Sequence, residues 1–477
     1  MAVSAAPTGV VATGRRLAVG AGVALAAFVA GVVLAKAGAI GGPVLMVAAP
    51  LVILVAAAAL SRPLFGVMAV FASFPIGFST LPFGSLDLKI VEAAAMAVAG
   101  LVVLRRMALG ETPLPWRPEM WWALLLVGMA LVATPSSVAL ADSWKQDALL
   151  LVGFLYGLAV LAAIRSVDDV RSALGVLLVV GGALCLLGLH GESHLEAEFS
   201  GAIVSNRAQG VFPQPNDLGA FASILVLAAV GMALGARTAW SRLGSWAGAG
   251  AAMLAMGLSL SRGGWIGTAL GLLLMMTVLP QARRAAFSVV LPLLLLVSVT
   301  FGVLLPSAPP QVEVVKERLG SIAHPEENPY DDRPTIWREA VREIRSDPWT
   351  GVGPGAFRAA SSKSRSLAIT VAADHAHDVL LTVGAEAGLP AVALLIGFTL
   401  ALALLARRVV RGLPDRGDQA VMAGVACGMA AQIGQGLVDF NLRDPVIFIM
   451  MWTLAGMLLA AGRELRRAQG LPAEARA

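Results

Sequence analysis

The sequence predicts an all-α polytopic membrane protein with about fourteen transmembrane helices and one long extracytoplasmic loop that contains helices of its own. Three observations predict this class: the composition, the succession of apolar runs, and the placement of basic residues between them. Of the 477 residues, 58% are hydrophobic and only 14% are charged. About a quarter of the residues of a soluble domain are charged, so this composition is typical of a chain that lies mostly in lipid.

Apolar runs close to the roughly 20 residues that cross a bilayer follow one another along most of the chain. They cover approximately residues 17–35, 42–60, 64–81, 88–104, 119–135, 146–164, 172–190, 215–235, 245–261, 265–280, 286–306, 379–406, 419–438 and 445–462. If one pair of the weaker runs (the third, fourth and ninth) is not helical, about twelve spans remain and the orientation is unchanged. The first run is long for a signal peptide and lacks a convincing cleavage site, which predicts an uncleaved helix.

Arginine clusters separate successive pairs of these runs. They include Arg15-Arg16, Arg105-Arg106, Arg283-Arg284, Arg407-Arg408 and Arg466-Arg467. By the positive-inside rule, the side that carries them is cytoplasmic, and both termini lie on that side. The net charge of +5 therefore reflects membrane topology and not nucleic-acid binding. Cys185 and Cys427 both fall inside apolar runs, so we expect no disulfide.

This topology divides the chain into four parts. Residues 1–306 hold the first eleven predicted helices, and residues 307–378 form the extracytoplasmic loop. Residues 379–463 hold the last three helices, and residues 464–477 form a cytoplasmic tail. Because no internal repeat is visible, the sequence does not support an inverted-repeat transporter.

The loop contains a predicted amphipathic helix over Pro334–Ser346, because apolar and charged side chains recur on opposite faces. The apolar face carries Ile336, Trp337, Ala340, Val341 and Ile344, and the charged face carries Arg338, Glu339, Arg342 and Glu343. Residues 351–355 follow with the sequence Gly-Val-Gly-Pro-Gly. They lack the Lys-Ser or Lys-Thr pair of a phosphate-binding loop, and Pro354 removes an amide donor, so we predict a turn.

Several arginines fall on the outer side of this topology, where the positive-inside rule does not place them. They are Arg207, Arg262, Arg333 and Arg365. Arg262 lies at the mouth between two apolar runs and precedes Gly263-Gly264, which lets a ligand or backbone come close. A guanidinium binds phosphate oxygens in a bidentate manner, so Arg262 and Arg207 are candidates for a phosphate site. The alternative is an arginine that reaches towards lipid headgroups.

His375 and His377 stand one residue apart, directly before an apolar run. Three interpretations of the pair are open. The two histidines and a nearby aspartate could chelate a metal ion. One histidine could cap the next helix or bond a carbonyl group. One histidine could instead act as a general base towards a hydroxyl group, with Asp374 or Asp378 orienting its ring.

A short predicted turn at residues 439–444 lies between the last two apolar runs and carries an aspartate at each end. Asp439 and Asp444 could pair with Arg443, which lies between them in the turn. Alternatively, Asp439 could face the same cavity as His377.

These motifs, in this order, resemble the O-antigen ligase/polymerase superfamily of bacterial membrane glycosyltransferases. The resemblance covers about residues 200 to 445. It is carried by Asn206–Phe212 with Pro215-Asn216, by Ser261–Trp265, by Arg333–Trp337 followed by Asp347–Gly355, by His375–Asp378 and by Glu386–Pro390. The family pattern usually has asparagine after the second histidine, where this chain has Asp378.

The resemblance implies a helical membrane fold of the GT-C-like kind, in the cytoplasmic membrane of a bacterium. It implies transfer of a glycan from an undecaprenyl-diphosphate carrier to a glycan or lipid acceptor at the outer face, with no metal or other cofactor. Arg207 and Arg262 would hold the lipid diphosphate, and His377 would activate the acceptor hydroxyl. Arg333 would be an auxiliary contact, and His375, Asp378 and Asp439 are further candidates for contact with the substrates.

Simple chemistry agrees with this implied activity. A diphosphate is a good leaving group that needs positive charge where its own charge develops, and a sugar hydroxyl is a poor nucleophile that needs a base. A single displacement at the anomeric carbon would invert its configuration.

The main alternative, a flippase of lipid-linked glycans, would need charges deep within several spans, whereas most charges here lie at span ends. A purely structural scaffold leaves the outer arginines and the paired histidines without a role. Ligase and polymerase share these motifs, and the sequence does not separate them.

Overall fold

The computed structural model describes residues 54–83, 86–189, 207–285, 333–363 and 373–470, and these residues are mostly helical. The predicted runs at 17–35 and 286–306, most of the run at 42–60, and Arg365 lie outside the described residues. Residues 54–61 are helical and precede the first complete helix, α1.

The described residues form the following helices in chain order. They are α1 (Leu64–Ala72), α2 (Ile90–Ala108), α3 (Met120–Ala133), α4 (Leu140–Ala163), α5 (Val167–Gly188), α6 (Pro215–Leu234), α7 (Ala239–Leu258), α8 (Arg262–Val278), α9 (Pro280–Ala285), α10 (Arg333–Ser346), α11 (Phe357–Lys363), α12 (Val379–Gly412), α13 (Arg416–Gly436) and α14 (Pro445–Ala468). Five of them, α4, α5, α6, α12 and α14, are long and apolar enough to cross a membrane, and α3 and α8 are shorter apolar helices.

The third predicted span, over residues 64–81, is not one helix. Helix α1 ends at Ala72 and a 3-10 turn covers Phe74–Ile76. Pro75 in this turn disfavours helical backbone at the residue before it. An antiparallel hairpin of β1 (Thr80–Phe83) and β2 (Leu86–Lys89) then follows, with Thr80 opposite Lys89. The described residues are therefore mostly but not entirely helical, and this hairpin departs from the predicted all-α class.

Helices α6 and α14 form the centre of the bundle, since 83% of the most apolar part of each is buried. Helices α6, α8 and α13 pack closely through glycines. A Cβ atom on Gly267 of α8 would lie 2.5 Å from the carbonyl oxygen of Ala431, and one on Gly231 of α6 would lie 2.7 Å from the Cα of Gly424. Small residues let helix backbones approach each other in this way in membranes. This packing sets the start of α8 beside the end of α13.

Helix α12 begins at Val379, as predicted, but has a break inside it. Gly388 has φ +80° and interrupts the helical backbone. Beyond this break the helix exposes large apolar side chains, namely Leu389, Ile396, Leu400 and Leu404. Before the break, Ala385 packs with Ile336, Ala340 and Phe357 in a small separate core. The kink therefore separates a protein-covered part of α12 from an exposed apolar part.

The predicted amphipathic helix is present as α10. Its inner side chains, Ile336 and Ala340, pack on the first part of α12. However, Glu339 and Glu343, which the sequence placed on the outer face, are buried. The buried face is therefore rotated towards the glutamates, and Trp337 and Val341 line an open groove together with Arg338, Arg342 and Arg345.

Candidate active site

His377 lies immediately before α12, and Asp378 is the N-cap of that helix. The Asp378 carboxylate accepts the backbone N–H of Leu381 at 2.8 Å, an interaction that satisfies one of the unpaired donors of the first turn. Asp374 forms an exposed ion pair with Arg358 at 2.9 Å. Contrary to our expectation from the sequence, neither aspartate is the carboxylate that contacts the His377 ring.

The backbone around His377 folds back on itself. His377 has φ +51°, a left-handed conformation that few residues other than glycine adopt. Its N–H donates to Nδ1 of His375 at 3.1 Å, and the N–H of Ala376 donates to Oγ1 of Thr382 at 3.2 Å. These bonds bring the two imidazole rings together, with their centroids 4.4 Å apart.

Asp439 is the carboxylate that contacts His377. The distance from Nδ1 of His377 to Oδ1 of Asp439 is 3.0 Å, and Arg333 lies 3.8 Å from the other carboxylate oxygen. Burial alone would raise the pKa of Asp439, but the hydrogen bond from His377 and the charge of Arg333 hold that pKa below its ordinary value. An ionised Asp439 accepts the Nδ1 proton, which leaves Nε2 of His377 as the basic nitrogen.

His375 lies in a different environment. Its ring is edge-on to Phe440, with centroids 5.4 Å apart. Burial, together with the neighbouring His377 and Arg443, lowers the pKa of His375 to about 3. His375 is therefore neutral near pH 7, and its Nδ1 serves as an acceptor for the backbone of His377. Its observed contacts support the fold of this turn.

Residues 437–444 form a turn in which successive side chains reach different elements. Asp439 contacts His377, and Asp444 caps α14 by accepting the N–H groups of Val446 and Ile447. Arg443 donates to the carbonyl oxygen of Asp374 at 2.5 Å. The suggested pairing of Arg443 with Asp439 or Asp444 is therefore wrong: each aspartate has another partner.

Glu386 is a buried acid that the sequence analysis quoted as part of a motif but did not predict as a site residue. Its carboxylate pairs with Arg443 and accepts the N–H of Gly355 at 2.9 Å and that of Phe357 at 3.4 Å. Glu386 thus ties the turn at residues 351–355, which was predicted as a turn, to both α12 and Arg443. A lone glutamate in an otherwise apolar stretch was the signal that could have indicated this role.

Arg207 is held at the start of α6. Its Nε donates to the carbonyl oxygen of Ser259 at 2.8 Å, and its Nη2 donates to Oδ1 of Asn216 at 2.6 Å. Ser259 lies at the end of α7 and Asn216 in the first turn of α6. The guanidinium is therefore positioned by two helix ends.

Arg262 is the first residue of α8, and Ser261 caps that helix by accepting the N–H of Gly264. Gly263 packs on the last turn of α13 and the following segment, because a Cβ atom there would lie 3.0 Å from Cγ of Gln435 and 3.4 Å from Cγ2 of Val438. The backbone of Arg262 consequently lies beside the turn that carries Asp439. The glycines after Arg262 permit this approach, as the sequence predicted.

Three buried polar residues complete this end of the bundle, and none was singled out from the sequence. Gln435 donates to Oδ1 of Asn441 at 2.9 Å, and Asn441 donates to Oδ1 of Asp217 at 2.7 Å. Asp217 also lies close enough to Asp439 and His377 to interact with them electrostatically. These residues link α6, α13 and the 437–444 turn.

The predicted site residues thus gather at one end of the bundle. His375, His377, Asp439 and Arg333 form a chain of contacts. Arg262 begins the neighbouring helix α8, and the side chain of Arg207 bonds the ends of α6 and α7. Among the described residues, no group of three or more His, Cys, Asp or Glu side chains is arranged to hold a metal ion.

Residues 247–396 match the family model described as O-antigen ligase. This match over about a third of the chain supports the resemblance to the O-antigen ligase/polymerase superfamily. No curated protein matches the chain. The matched segment contains Arg262, Arg333 and His377, whereas Arg207 and Asp439 lie outside it. The match, together with five helices long and apolar enough to cross a membrane, supports an integral membrane protein and, at a coarse level, an enzyme of the glycosyltransferase-like class.

Proposed function

We propose that this protein transfers a glycan from an undecaprenyl-diphosphate carrier to an acceptor hydroxyl at the outer face of the bacterial cytoplasmic membrane. The acceptor is a glycan or a glycolipid, and both ligases and polymerases use this reaction. The observation that carries the proposal is the His377–Asp439 pair, 3.0 Å apart, at the end of the bundle where Arg207 and Arg262 also lie.

His377 is the general base in this proposal. Its Nε2 takes the proton of the acceptor hydroxyl as the hydroxyl oxygen attacks the anomeric carbon of the donor glycan. The ionised Asp439 fixes the imidazole tautomer and stabilises the imidazolium that forms. With a side-chain exposure of 29%, His377 is accessible to a substrate, whereas the Asp439 side chain is 6% exposed.

The arginines act on the leaving group. As the new glycosidic bond forms, the bond from the anomeric carbon to the diphosphate oxygen breaks, and the negative charge passes to the diphosphate. Arg207 and Arg262 bind those oxygens and stabilise the developing charge. Attack opposite the leaving group inverts the anomeric configuration, and no step requires a metal ion.

The contacts refine the roles of the other candidates. Arg333 holds the second oxygen of Asp439, so we assign it to the base and not to the diphosphate. His375 and Asp378 support the backbone that presents His377, through its N–H and through the cap of α12 respectively. Asp439 acts through the ring of His377 and not by direct contact with substrate.

The test uses the full-length protein in lipid nanodiscs, with the lipid-linked glycan extracted from membranes of the producing cells as donor. Release of undecaprenyl diphosphate and formation of the transferred glycan are both measured. We expect His377→Ala to lower the transfer rate by about 10²- to 10⁴-fold, since general base catalysis contributes about that much. Asp439→Asn should also lower the rate strongly, because an amide does not fix the required tautomer.

Binding of undecaprenyl diphosphate distinguishes the arginines assigned to the diphosphate from the histidine assigned as the base. Arg207→Ala and Arg262→Ala should weaken it, whereas His377→Ala should not. Arg338→Ala, an exposed arginine on α10, is the matched control and should leave binding unchanged. Full transfer activity in His377→Ala would contradict the assignment of the base. Movement of labelled lipid-linked glycan into sealed vesicles without bond formation would instead support a flippase.

A further inference from the structure

The amide of Asn441 is held at both ends by buried partners. Its Nδ2 donates to Oδ1 of Asp217 at 2.7 Å, and its Oδ1 accepts from Nε2 of Gln435 at 2.9 Å. The exposed fractions are 4% for Asn441, 8% for Asp217 and 0% for Gln435. A hydrogen bond to a buried carboxylate is strong, and leaving such a group unpaired is costly. The position of Asn441 is therefore tied to both α6 and α13.

Asn441 in turn sets the position of Asp439. The two residues are two positions apart in the 437–444 turn. Backbone bonds keep this turn short: the N–H of Asp439 donates to the carbonyl oxygen of Gln435 at 2.9 Å, and the N–H of Asp444 donates to that of Asn441 at 3.1 Å. A shift of Asn441 would therefore move the carboxylate that orients His377.

Asp217, which accepts the hydrogen bond from Asn441, is next to Asn216, which accepts the hydrogen bond from Arg207. Asp217 follows Asn216 in the first turn of α6, and Asn216 accepts from Nη2 of Arg207 at 2.6 Å. The same helical turn consequently anchors the arginine on one side and the turn that carries Asp439 on the other. A continuous path of contacts runs from Arg207 through Asn216, Asp217 and Asn441 to Asp439 and His377.

We propose that Asn441 and Asp217 are positioning residues, which hold the His377–Asp439 pair at a fixed distance from Arg207. This assignment rests on the proposed function, in which His377 is the base and Arg207 binds the diphosphate. Neither residue needs to touch the substrate. A base displaced by about 1 Å can lose about 10²-fold in rate, so the hydrogen bond between α6 and the turn affects the chemical step.

The first test exchanges the two partners. Asn441→Asp places two carboxyl groups in contact, and at alkaline pH, where neither keeps a proton, their repulsion should displace the turn. We expect its kcat to fall about 10- to 100-fold, with the KM for the lipid-linked glycan unchanged because Arg207 keeps its own partner. The double variant Asp217→Asn/Asn441→Asp restores one amide and one carboxylate and should recover most of the lost kcat. A double variant no faster than Asn441→Asp would overturn the proposal.

The second test asks whether Asn441 acts through His377. In a His377→Ala background the base is already absent, so Asn441→Asp should cause little further loss of transfer. An equal loss with and without His377 would show a general structural role and overturn the proposal. Full activity of His377→Ala alone would instead contradict the proposed function, and the two failures are therefore distinct.

The matched control is Gln419→Glu, which makes the same amide-to-carboxylate change near the start of α13. Gln419 is part-buried and bonds the carbonyl oxygen of Leu413, far along α13 from Gln435. It should leave both kcat and KM unchanged. Thermal unfolding of each purified variant shows whether a loss of rate results from a loss of folded protein. If the double variant Asp217→Asn/Asn441→Asp does not restore the kcat lost in Asn441→Asp, the result counts against the proposal.

Discussion

His375 and His377 are neighbours in sequence and in space, but their surroundings give the two imidazoles different chemistry. His377 is partly exposed and has an ionised carboxylate at Nδ1. His375 is largely enclosed beside Phe440 and near the positive charge of Arg443. Only His377 combines access for a substrate with a partner that stabilises its protonated form, so only His377 is suited to take a proton.

The low pKa of His375 predicts a pH-dependent stability. In the folded protein its pKa is about 3, against an ordinary value of 6.5. Below about pH 6.5 the unfolded chain binds a proton that the folded chain does not. The free energy of unfolding is therefore unaffected by His375 above pH 6.5 and falls as pH decreases towards 3, by at most about 1.4 kcal/mol per pH unit.

His375→Asn tests this prediction, because asparagine can accept the His377 N–H and does not titrate. Melting temperatures of the two purified proteins are compared between pH 7.5 and 4.5. The wild-type value should fall more steeply with decreasing pH than the variant value, and other titrating groups cancel in the difference. Parallel curves would show that His375 does not remain neutral in the fold.

The sequence indicated which residues matter at this scale but not how they pair. The resemblance favoured His377 over His375, and the surroundings of the two rings agree with that order. The sequence analysis offered Asp374 or Asp378 as the orienting carboxylate because these are local, and it kept Asp439 beside His377 only as an alternative. Asp439 is 62 residues from His377, and an aspartate directly before a helix is equally suited to cap it. No local sequence pattern distinguishes an aspartate that caps a helix from one that orients a histidine ring.

At the scale of elements, polar caps mark helix starts that hydropathy alone located only to within several residues. Side-chain oxygens accept backbone N–H groups at the starts of α5, α7, α8, α12, α13 and α14. Ser, Thr and Asp before an apolar run are visible in sequence. The hairpin at β1 and β2 was missed because its strands are short and lie within or beside apolar runs, where hydropathy alone does not separate strand from helix.

The close approach of α8 to α13 predicts a large effect of one methyl group. In Gly267→Ala the added Cβ would lie 2.5 Å from the carbonyl oxygen of Ala431, so the helices must separate. We expect a loss of about 1–3 kcal/mol in stability, typical of overpacking, and a lower transfer rate because Arg262 lies at the start of the displaced helix. Thermal unfolding and the transfer assay measure the two effects.

Gly250→Ala is the control for this change. Gly250 lies in α7 and a Cβ atom there would meet nothing within 4 Å. Alanine is the better helix former by about 1 kcal/mol, so this variant should be as stable as the wild type or slightly more stable. If Gly267→Ala behaved in the same way, the close packing of α8 on α13 would be contradicted.

At the scale of the whole molecule, the site exists only where the bundle brings distant segments together. The hydrogen bond from Asn441 to Asp217 joins residues 224 positions apart, and that from Arg207 to Ser259 joins residues 52 apart. Hydropathy predicted many of the described helices and their order but carries no information on which ends meet. Asp217, Glu386 and Asn441 were therefore absent from the predicted site.

The topology remains a prediction that labelling can test. Ser346 and Arg411 are both exposed. Ser346 ends α10, which packs on the part of α12 before the break, whereas Arg411 lies in the last turn of α12. In intact cells, Ser346→Cys should react with a membrane-impermeant maleimide, whereas Arg411→Cys should react only after permeabilisation. The native Cys185 and Cys427 are buried and should contribute little background. Labelling of Arg411→Cys in intact cells would reverse the proposed orientation.

The break at Gly388 has a mechanical consequence. A Cβ atom there would lie 2.3 Å from the carbonyl oxygen of Trp349, and the N–H of Leu389 donates to the carbonyl oxygen of Pro348 at 2.8 Å. The first ten residues of α12 pack against other parts of the protein, and the rest of the helix exposes apolar side chains on the surface of the bundle. We therefore expect a tilt of the exposed apolar part of α12 to bend the helix at Gly388 and to leave the position of His377 unchanged.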